Sequence, residues 1–545
     1  MKKISQADGI KDFAGRNYIY VDKTEYIYSL VSNYKRVFFS RPRRFGKTLT
    51  LNIIGTLYGE GVEPYFKDTW IYDKWNFGQF PVLRLNFQNY RAQSVLDFKQ
   101  LCSKAIAEFA DEVELTGKVK STEPDVAILE LLNALKRKKQ RIVILIDEYD
   151  YQMTANINNR ELYEEFRVCI RNFYSNLKSN EQIEFLAVTG VTRLKDVSIF
   201  SAGSDIKDLT YESAFSQMIG FTRDEIKRFY NDYLRLGVSY EDTEIRPEDA
   251  TEAQIDDLLD RMAWRYDGYC FDKFCELKVF STWSVNSFLQ EMSSSKRVNF
   301  GDYWFDEVGG GLPSILVNYL QTHTLDVSVL QQDDILISYS EFQSPTSLTD
   351  INQSVLMCQT GYLTLKSPAN EDCLFVTLGL ANQEVRKALS RLLMFRFISE
   401  DFLKTHPAKE AVAQYSAEKL VLFFNKMLAA VAYDRYPLKE ESMVRALLQV
   451  FLQGSGLKVE VEKHNSKGRC DLMTHTQERH VVLELKYSKD GTDERSLLDD
   501  AVNQIKRRDY GAELDDGKAL LRLALVFNGR DDKRKFTLWQ EVPEA

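Results

Sequence analysis

The sequence predicts a multidomain α/β chain, with a parallel-sheet domain over residues 1–220, a helical, winged-helix-like region over 221–438 and a second α/β domain over 439–545. Three observations predict it. Four short apolar runs in the first 220 residues alternate with amphipathic stretches, as the strands and helices of an open parallel sheet do. From about Phe221 the texture becomes helical, and from Lys439 strand-like runs return with core candidates of their own. A chain of 545 residues exceeds what one core organises, and 44% apolar residues suffice to bury several.

The expected strands of the first domain are Arg36–Ser40 (RVFFS), 81–87 (PVLRLNF), 141–147 (RIVILID) and 185–189 (FLAVT). Their near-continuous apolar character suits a sheet buried on both faces, with residues 97–110 as a helix packed against it. Polar residues of interest fall at the C-terminal ends of these strands, where open α/β sheets place ligands. The run 222–236 opens with Thr222 as N-cap and Glu225 three places on, a capping box. Helical segments from Leu312 lead to extended runs at 361–366 and 373–377, separated by the turn-rich SPANED, an order compatible with a winged helix. Helical periodicity resumes from Gln383 to about Phe402, and a charged helical stretch leads to Leu438. The last block reads helix 440–454, strands 458–462, 470–474 and 480–485, helix 497–508 and strand 521–527.

A net charge of -9 excludes a basic nucleic-acid-coating protein but leaves room for a local cleft holding Arg41, Arg43 and Arg44. No apolar segment follows Lys2 and Lys3, and no apolar run approaches membrane-spanning length, so a cytoplasmic protein without a membrane partner is expected. The seven cysteines are scattered and without CxxC spacing, as reduced thiols are.

Gly46-Lys47-Thr48 stands after the strand RVFFS and before a helical run, where backbone N–H groups at a helix N-terminus hold a phosphate. Arg43, Arg44, Phe45, Gly46, Lys47 and Thr48 are the candidate ATP-binding residues of this P-loop NTPase-type loop, Lys47 supplying charge and Thr48 a hydroxyl to Mg²⁺. Arg41 stands where the full motif has its first glycine. At the end of RIVILID, Asp147 suits Mg²⁺ coordination and Glu148 can orient an attacking water. FLAVTGVTR adds Thr189, Thr192 and Arg193, the arginine serving either the γ-phosphate or a surface salt bridge.

In HVVLELK, period two puts Glu484 and Lys486 on one face and Leu483 and Leu485 on the other. Asp471 on the neighbouring strand can join Glu484 in holding Mg²⁺ or Mn²⁺ through oxygen, with Lys486 assisting a water nucleophile. This is the D-x(n)-E-x-K arrangement of the PD-(D/E)XK fold, expected in a solvent-accessible site, with Glu462 on the strand before. His464, Cys470, His475 and His480 are spaced 6, 5 and 5, which matches no ordinary zinc pattern, and the histidines read as exposed or loop residues. The basic clusters 136–141 and 506–508 read as solvated or helix C-terminal charges, the second within reach of phosphates.

Tyr20-Val21-Asp22-Lys23-Thr24, RPRRFGKT, Tyr266-Asp267-Gly268-Tyr269, Gly361-Tyr362-Leu363-Thr364 and Asn382-Gln383-Glu384-Val385-Arg386 closely resemble the AAA-ATPase-like family of prokaryotic proteins that carry a C-terminal PD-(D/E)XK nuclease domain. The resemblance runs over nearly the whole chain, and RPRRFGK is that family's usual loop. The nuclease pattern has the same order: a glutamate on the first helix (Glu440 or Glu441), Gly468-Arg469-Cys470-Asp471 after Lys467, then ExK, then Gln504-Ile505 and Tyr510. The resemblance implies ATP and Mg²⁺ or Mn²⁺ as cofactors, nucleic acid, DNA foremost, as partner, and Glu148, Asp471, Glu484, Lys486 and Gln504 as catalytic residues. It implies a nucleotide-regulated DNA nuclease of prokaryotic defence or mobile elements and leaves homo-oligomer formation open. The alternative is a nucleotide-controlled switch that binds nucleic acid or protein and whose nuclease-like domain does not cut.

Overall fold

The computed structural model describes residues 1–90, 92–194, 205–304, 314–323, 334–343, 347–398, 402, 407–431, 438–465, 468–512, 514 and 516–543, and of 314, 462–465 and 468–469 the backbone alone. Leu312, Lys467 and the stretch 432–437 lie outside the described residues, as do the side chains of Glu462, His464 and Arg469. The chain forms two compact units, one holding Met1–His323 and Asp334–Glu384, the other Val385–Ala545.

The first unit is built on a parallel sheet of β1 (Arg36–Ser40), β2 (Val82–Asn86), β3 (Ile142–Asp147), β4 (Ile183–Gly190) and β5 (Lys207–Asp208), in the order β2-β3-β4-β1-β5. Every residue of β3 is buried, as its unbroken apolar run requires of a strand covered on both faces. The helices Lys47–Glu60, Val95–Glu112, Pro124–Lys138 and Arg160–Ser175 belong to this layer structure. Because the strands are parallel, the loop after β1 and the acids ending β3 both lie at the C-terminal end of the sheet.

Beyond the sheet, the helices Arg223–Phe229, Asn231–Glu241, Glu252–Tyr266 and Thr282–Ser295 share a core that includes Ile226, Leu234, Leu258, Met262 and Phe288. The expected capping box is formed by Thr222 and Glu225. The helix expected to run unbroken from it divides at Tyr230, whose hydroxyl donates to Asn286 Oδ1 across 2.6 Å in the interior. A short pair, β6 (Tyr269–Cys270) and β7 (Lys278–Val279), follows. The extended runs near 361 and 373 are β9 (Leu363–Leu365) and β10 (Phe375–Leu380), which with β8 (Ile335–Ser338) make an antiparallel sheet ordered β8-β10-β9.

The second unit carries a mixed sheet in chain order, β11 (Lys458–Asn465), β12 (Gly468–His475), β13 (Arg479–Ser488), β14 (Ala519–Asn528) and β15 (Lys535–Glu541). Only β13 and β14 are parallel, and the Glu494–Arg508 helix makes the crossover that such a pair needs. The Glu441–Gly454 helix precedes the sheet. Among the described residues no helix is long and apolar enough to cross a membrane.

Candidate nucleotide and nuclease sites

Gly46 turns the chain from the loop into the Lys47–Glu60 helix at φ +104°, a conformation that L side chains rarely adopt. The turn presents the helix's first, unpaired N–H groups to the loop, where an anion is stabilised. Lys47 is only 4% exposed; its Nζ donates to the carbonyls of Arg41 (3.1 Å) and Pro42 (3.3 Å) and stands 3.4 Å from Glu148 Oε1. Thr48 Oγ1 donates to Asp147 Oδ2 at 2.7 Å, and Asn86 Nδ2 reaches the same oxygen at 3.4 Å. Burial, then the charge of Glu148, pushes the Asp147 carboxyl up to about 6, against the opposite pull of Lys47 and Thr48. A carboxylate short of solvation gains most from a cation, so Thr48 and Asp147 fit a Mg²⁺ ion brought by nucleotide. Glu148 is held at φ +49°, in the left-handed region uncommon for residues other than glycine, as functional residues often are. A cavity of about 590 Å³ adjoins, lined by Arg43, Lys47, Thr48 and Glu148 and, farther along, by Tyr20 and Trp283.

The neighbouring arginines have other duties. Arg41, at the position of the missing glycine, is 1% exposed: Nη1 donates to the carbonyls of Ser40 and Thr210 (both 2.8 Å), Nη2 to that of Phe215 (3.2 Å), and the guanidinium lies 4.1 Å from the Phe271 ring centre. Burial lowers its pKa to about 10, which leaves it charged. It is a bolt joining the loop to the segment after β5. Arg44 donates to the carbonyls of Tyr303 (2.7 Å) and Trp304 (2.9 Å) and stacks 4.7 Å from Trp283, while Phe45 is buried against Tyr269, Phe271 and Trp304. Arg43 lines the cavity.

Arg193 does not join the loop group: Nε and Nη2 donate to Asp208 Oδ2 at 2.9 and 2.7 Å, tying the end of β4 to β5. The salt bridge expected of it is present, with Asp208 on the edge strand β5, but largely buried rather than at the surface. Thr192 is fixed by Asp150, which accepts from its N–H (2.7 Å) and its hydroxyl (2.6 Å), and Thr189 Oγ1 is buried without a hydrogen-bond partner.

In the second unit Asp471, Glu484 and Lys486 converge across β12 and β13. Leu485 N donates to Asp471 Oδ2 at 2.8 Å, and Lys486 Nζ stands 3.3 Å from Glu484 Oε1. Leu483 and Leu485 are buried, as alternation requires. Glu484 corrects the expectation of a solvent-accessible carboxylate: it has no exposed surface, and its Oε2 is buried with no hydrogen-bond partner. The cause is its central strand, covered by the flanking helices. Burial and the charge of Asp471 push its carboxyl up to about 8, opposed by Lys486. Burial works against the charge on Lys486, but Glu484, Glu441 and Asp471 outweigh it and hold its pKa above the ordinary lysine value. Glu441 belongs to the same electrostatic group: burial, and also Asp471, raise its carboxyl while Lys486 lowers it.

The orphaned Glu484 oxygen beside Asp471 fits a divalent cation in chemistry, since oxygen donors without solvent are what Mg²⁺ and Mn²⁺ take up. Among the described residues, however, no three His, Cys, Asp or Glu side chains stand as a ready-made metal cage. Arg445, which sequence reasoning missed, donates to Asp471 Oδ1 at 3.2 Å; nothing in its spacing on the helix marks it. Gln504 lies on the Glu494–Arg508 helix and donates to Tyr510 Oη at 3.2 Å; Arg508 donates to the same oxygen at 2.9 Å. The histidines also depart from expectation: His475 closes β12 and His480 stands near the start of β13, both largely buried, with their rings edge to face.

The fold and these two groups define a phosphate-loop α/β protein joined to a nuclease-like mixed-sheet domain. Residues 8–200 match the AAA-ATPase-like family model, described as "Predicted AAA-ATPase", and residues 439–537 match the PD-(D/E)XK nuclease superfamily model. The chain joins an AAA-ATPase-like domain to a PD-(D/E)XK nuclease superfamily domain. An Azotobacter chroococcum mcd 1 protein, described as an uncharacterized protein in the vnfD 5′ region, is 27% identical over 518 residues, 92% of each chain. Similar solved structures include the Aeropyrum pernix ORC1 protein in complex with DNA (9% identity, 68% of this chain and 92% of that one, TM-score 0.27). Cdc6p from Pyrobaculum aerophilum is another (11%, 68% and 93%, TM-score 0.25). Both likenesses are too slight to bear on function.

Proposed function

We propose that this protein is a nucleotide-regulated, metal-dependent DNA nuclease of prokaryotic defence or mobile elements, with functional parts at 1–220, 221–438 and 439–545. The observation that supports cutting best is the buried, unpartnered Glu484 Oε2 beside Asp471 and Lys486, a costly arrangement to keep unless a cation uses it. Asp471 and Glu484 would hold the metal, which supplies charge to polarise a phosphodiester and acidify a water. Lys486 stabilises developing negative charge; Glu441 tunes the group. Arg508 and Tyr510, joined to Gln504, offer donors to a phosphate.

In the first unit, Lys47 and the helix N-terminus bind the β and γ phosphates of ATP, Thr48 and Asp147 its Mg²⁺, and Glu148 orients the attacking water. Lys47 sits 3.4 Å from Glu148, and an arriving γ-phosphate would separate them and free Glu148 for water. Arg445 favours the second reading, a non-cutting switch, because it occupies an Asp471 oxygen that a metal would need. Purified protein incubated with duplex DNA, single-stranded DNA and RNA, with Mg²⁺ or Mn²⁺ and with or without ATP, separates the readings. Cutting lost in Asp471→Ala supports the nuclease, and no cutting under any condition supports the switch.

A further inference from the structure

β12 and β13 are joined by a tight hairpin, Thr476 to Arg479, closed by Thr476 N donating to Arg479 O at 2.9 Å. The register places His475 directly opposite His480 at its mouth. Their Nδ1 atoms lie 2.6 Å apart, and each outer nitrogen meets a carboxylate: His475 Nε2 stands 3.0 Å from Glu460 Oε1, and His480 Nε2 2.9 Å from Asp516 Oδ1. The side chains of His475 and His480 are 12% and 5% exposed.

Counting protons exposes a vacancy. Three contacts use four ring nitrogens, but two neutral imidazoles carry only two N–H groups. If both donate outward to the carboxylates, both Nδ1 lone pairs face each other across 2.6 Å with nothing between. A carboxylate on the far nitrogen is also the arrangement that orients a metal-binding histidine and raises its basicity. A third proton or a metal ion would fill the gap. Lys458 and Lys518 stand 3.3 and 3.1 Å from the two carboxylates and hold them in place.

We propose that His475 and His480 form a binding site for one divalent transition-metal ion of the nickel–copper class, through their Nδ1 atoms, with Glu460 and Asp516 as the outer carboxylates. Imidazole nitrogens bind such ions at about 2.1 Å. Two adjacent positions of a tetragonal ion, the geometry those metals prefer with nitrogen and oxygen donors, then put the nitrogens about 3.0 Å apart. The nitrogens need to part by about 0.4 Å from their present separation and each ring must turn so that its lone pair meets an ion beside the line joining them, with water completing the shell. The site differs in chemistry from Asp471 and Glu484: nitrogen donors select against Mg²⁺, as oxygen donors select for it.

The test is equilibrium dialysis of the full chain against Ni²⁺ in excess Mg²⁺, which keeps the carboxylate site supplied with its own ion. One equivalent of Ni²⁺ is expected, without the near-ultraviolet charge-transfer band that cysteine ligation would produce. His475→Gln and His480→Gln should each weaken uptake at least tenfold. Because His480 is buried and its variant can misfold, Asp516→Asn serves as the second variant: Asp516 is half exposed, and losing its charge should weaken nickel several-fold while melting stays unchanged. Absence of the bound equivalent, uptake that survives both histidine substitutions, or a thiolate band would each overturn the proposal.

Discussion

Thr48 Oγ1 donates a 2.7 Å hydrogen bond to Asp147 Oδ2, tying the first turn of the helix after the phosphate loop to the end of a strand two places away in the sheet. With Lys47 against Glu148, this makes one connected polar group from four residues that nearly 100 positions of chain separate.

Lys47→Ala should weaken ATP binding by tenfold or more, because it removes the point charge on the phosphates. Glu148→Gln should keep binding nearly intact and lower hydrolysis at least a hundredfold. Nucleotide titration and phosphate release measure the two separately; equal defects in both variants would contradict the assigned roles.

Restoring a glycine at Arg41 should not improve the loop. Arg41→Gly leaves the carbonyls of Ser40, Thr210 and Phe215 without their buried donor and removes the Phe271 contact, so a loss of about 3 kcal/mol or more is expected. Denaturant unfolding of the full chain reads it, and an unchanged midpoint would show that the bolt is dispensable.

Asp471→Ala and Glu484→Ala should each abolish metal-dependent cleavage, whereas Lys486→Ala should spare metal binding. Glu484→Gln should not unfold the protein, because it replaces a buried carboxylate that burial already disfavours with a neutral isostere. Cleavage that persists in Glu484→Ala would point to another active site.

Glu384 supplies a pH dependence. It is fully buried and accepts from Ser284 Oγ (2.7 Å), Tyr303 N (2.6 Å) and Trp304 N (2.9 Å), and burial pushes its carboxyl up to about 7. Between the unfolded value of 4.5 and about 7, the native state holds a proton that the unfolded chain releases. Stability therefore falls as pH rises through that window, by on the order of 3 kcal/mol at the upper bound. Glu384→Gln, whose Oε1 still accepts both N–H groups and whose amide can donate to Ser284, should flatten this part of the profile. A slope retained in the variant would assign it elsewhere. Tyr303 and Trp304 also hold Arg44 through their carbonyls, so the loop arginine and the buried carboxyl meet across the peptide unit that joins these two residues.

Much of this was legible in the sequence where local pattern and burial agree. RVFFS is β1 end to end, and RIVILID differs from β3 by one residue, because runs of buried apolar side chains mark central strands. The two-residue β5 is too short for any periodicity, yet Asp208 on it holds the Arg193 guanidinium. β15 begins with the alternation KFTL, a period-two pattern that marks a strand, although no strand is expected there above. The partners of Arg41, some 170 positions away, and the pairing of Arg445 with Asp471 depend on tertiary packing that no local signal carries. Glu384 sits in a helix-start motif, where a glutamate ordinarily reads as a solvated charge, and only burial reveals it as a hub.

The most direct test of nucleotide control compares DNA cleavage by wild type and Lys47→Ala with no nucleotide, ADP, ATP and a non-hydrolysable ATP analogue, at matched free Mg²⁺. A nucleotide shifts an equilibrium only as far as its affinities for two conformations differ. If that difference exists, wild-type rates should change several-fold between nucleotide states, and Lys47→Ala should be locked near the nucleotide-free rate. Measurable cleavage at one rate for both proteins in all four states would contradict nucleotide control and leave two independent activities on one chain.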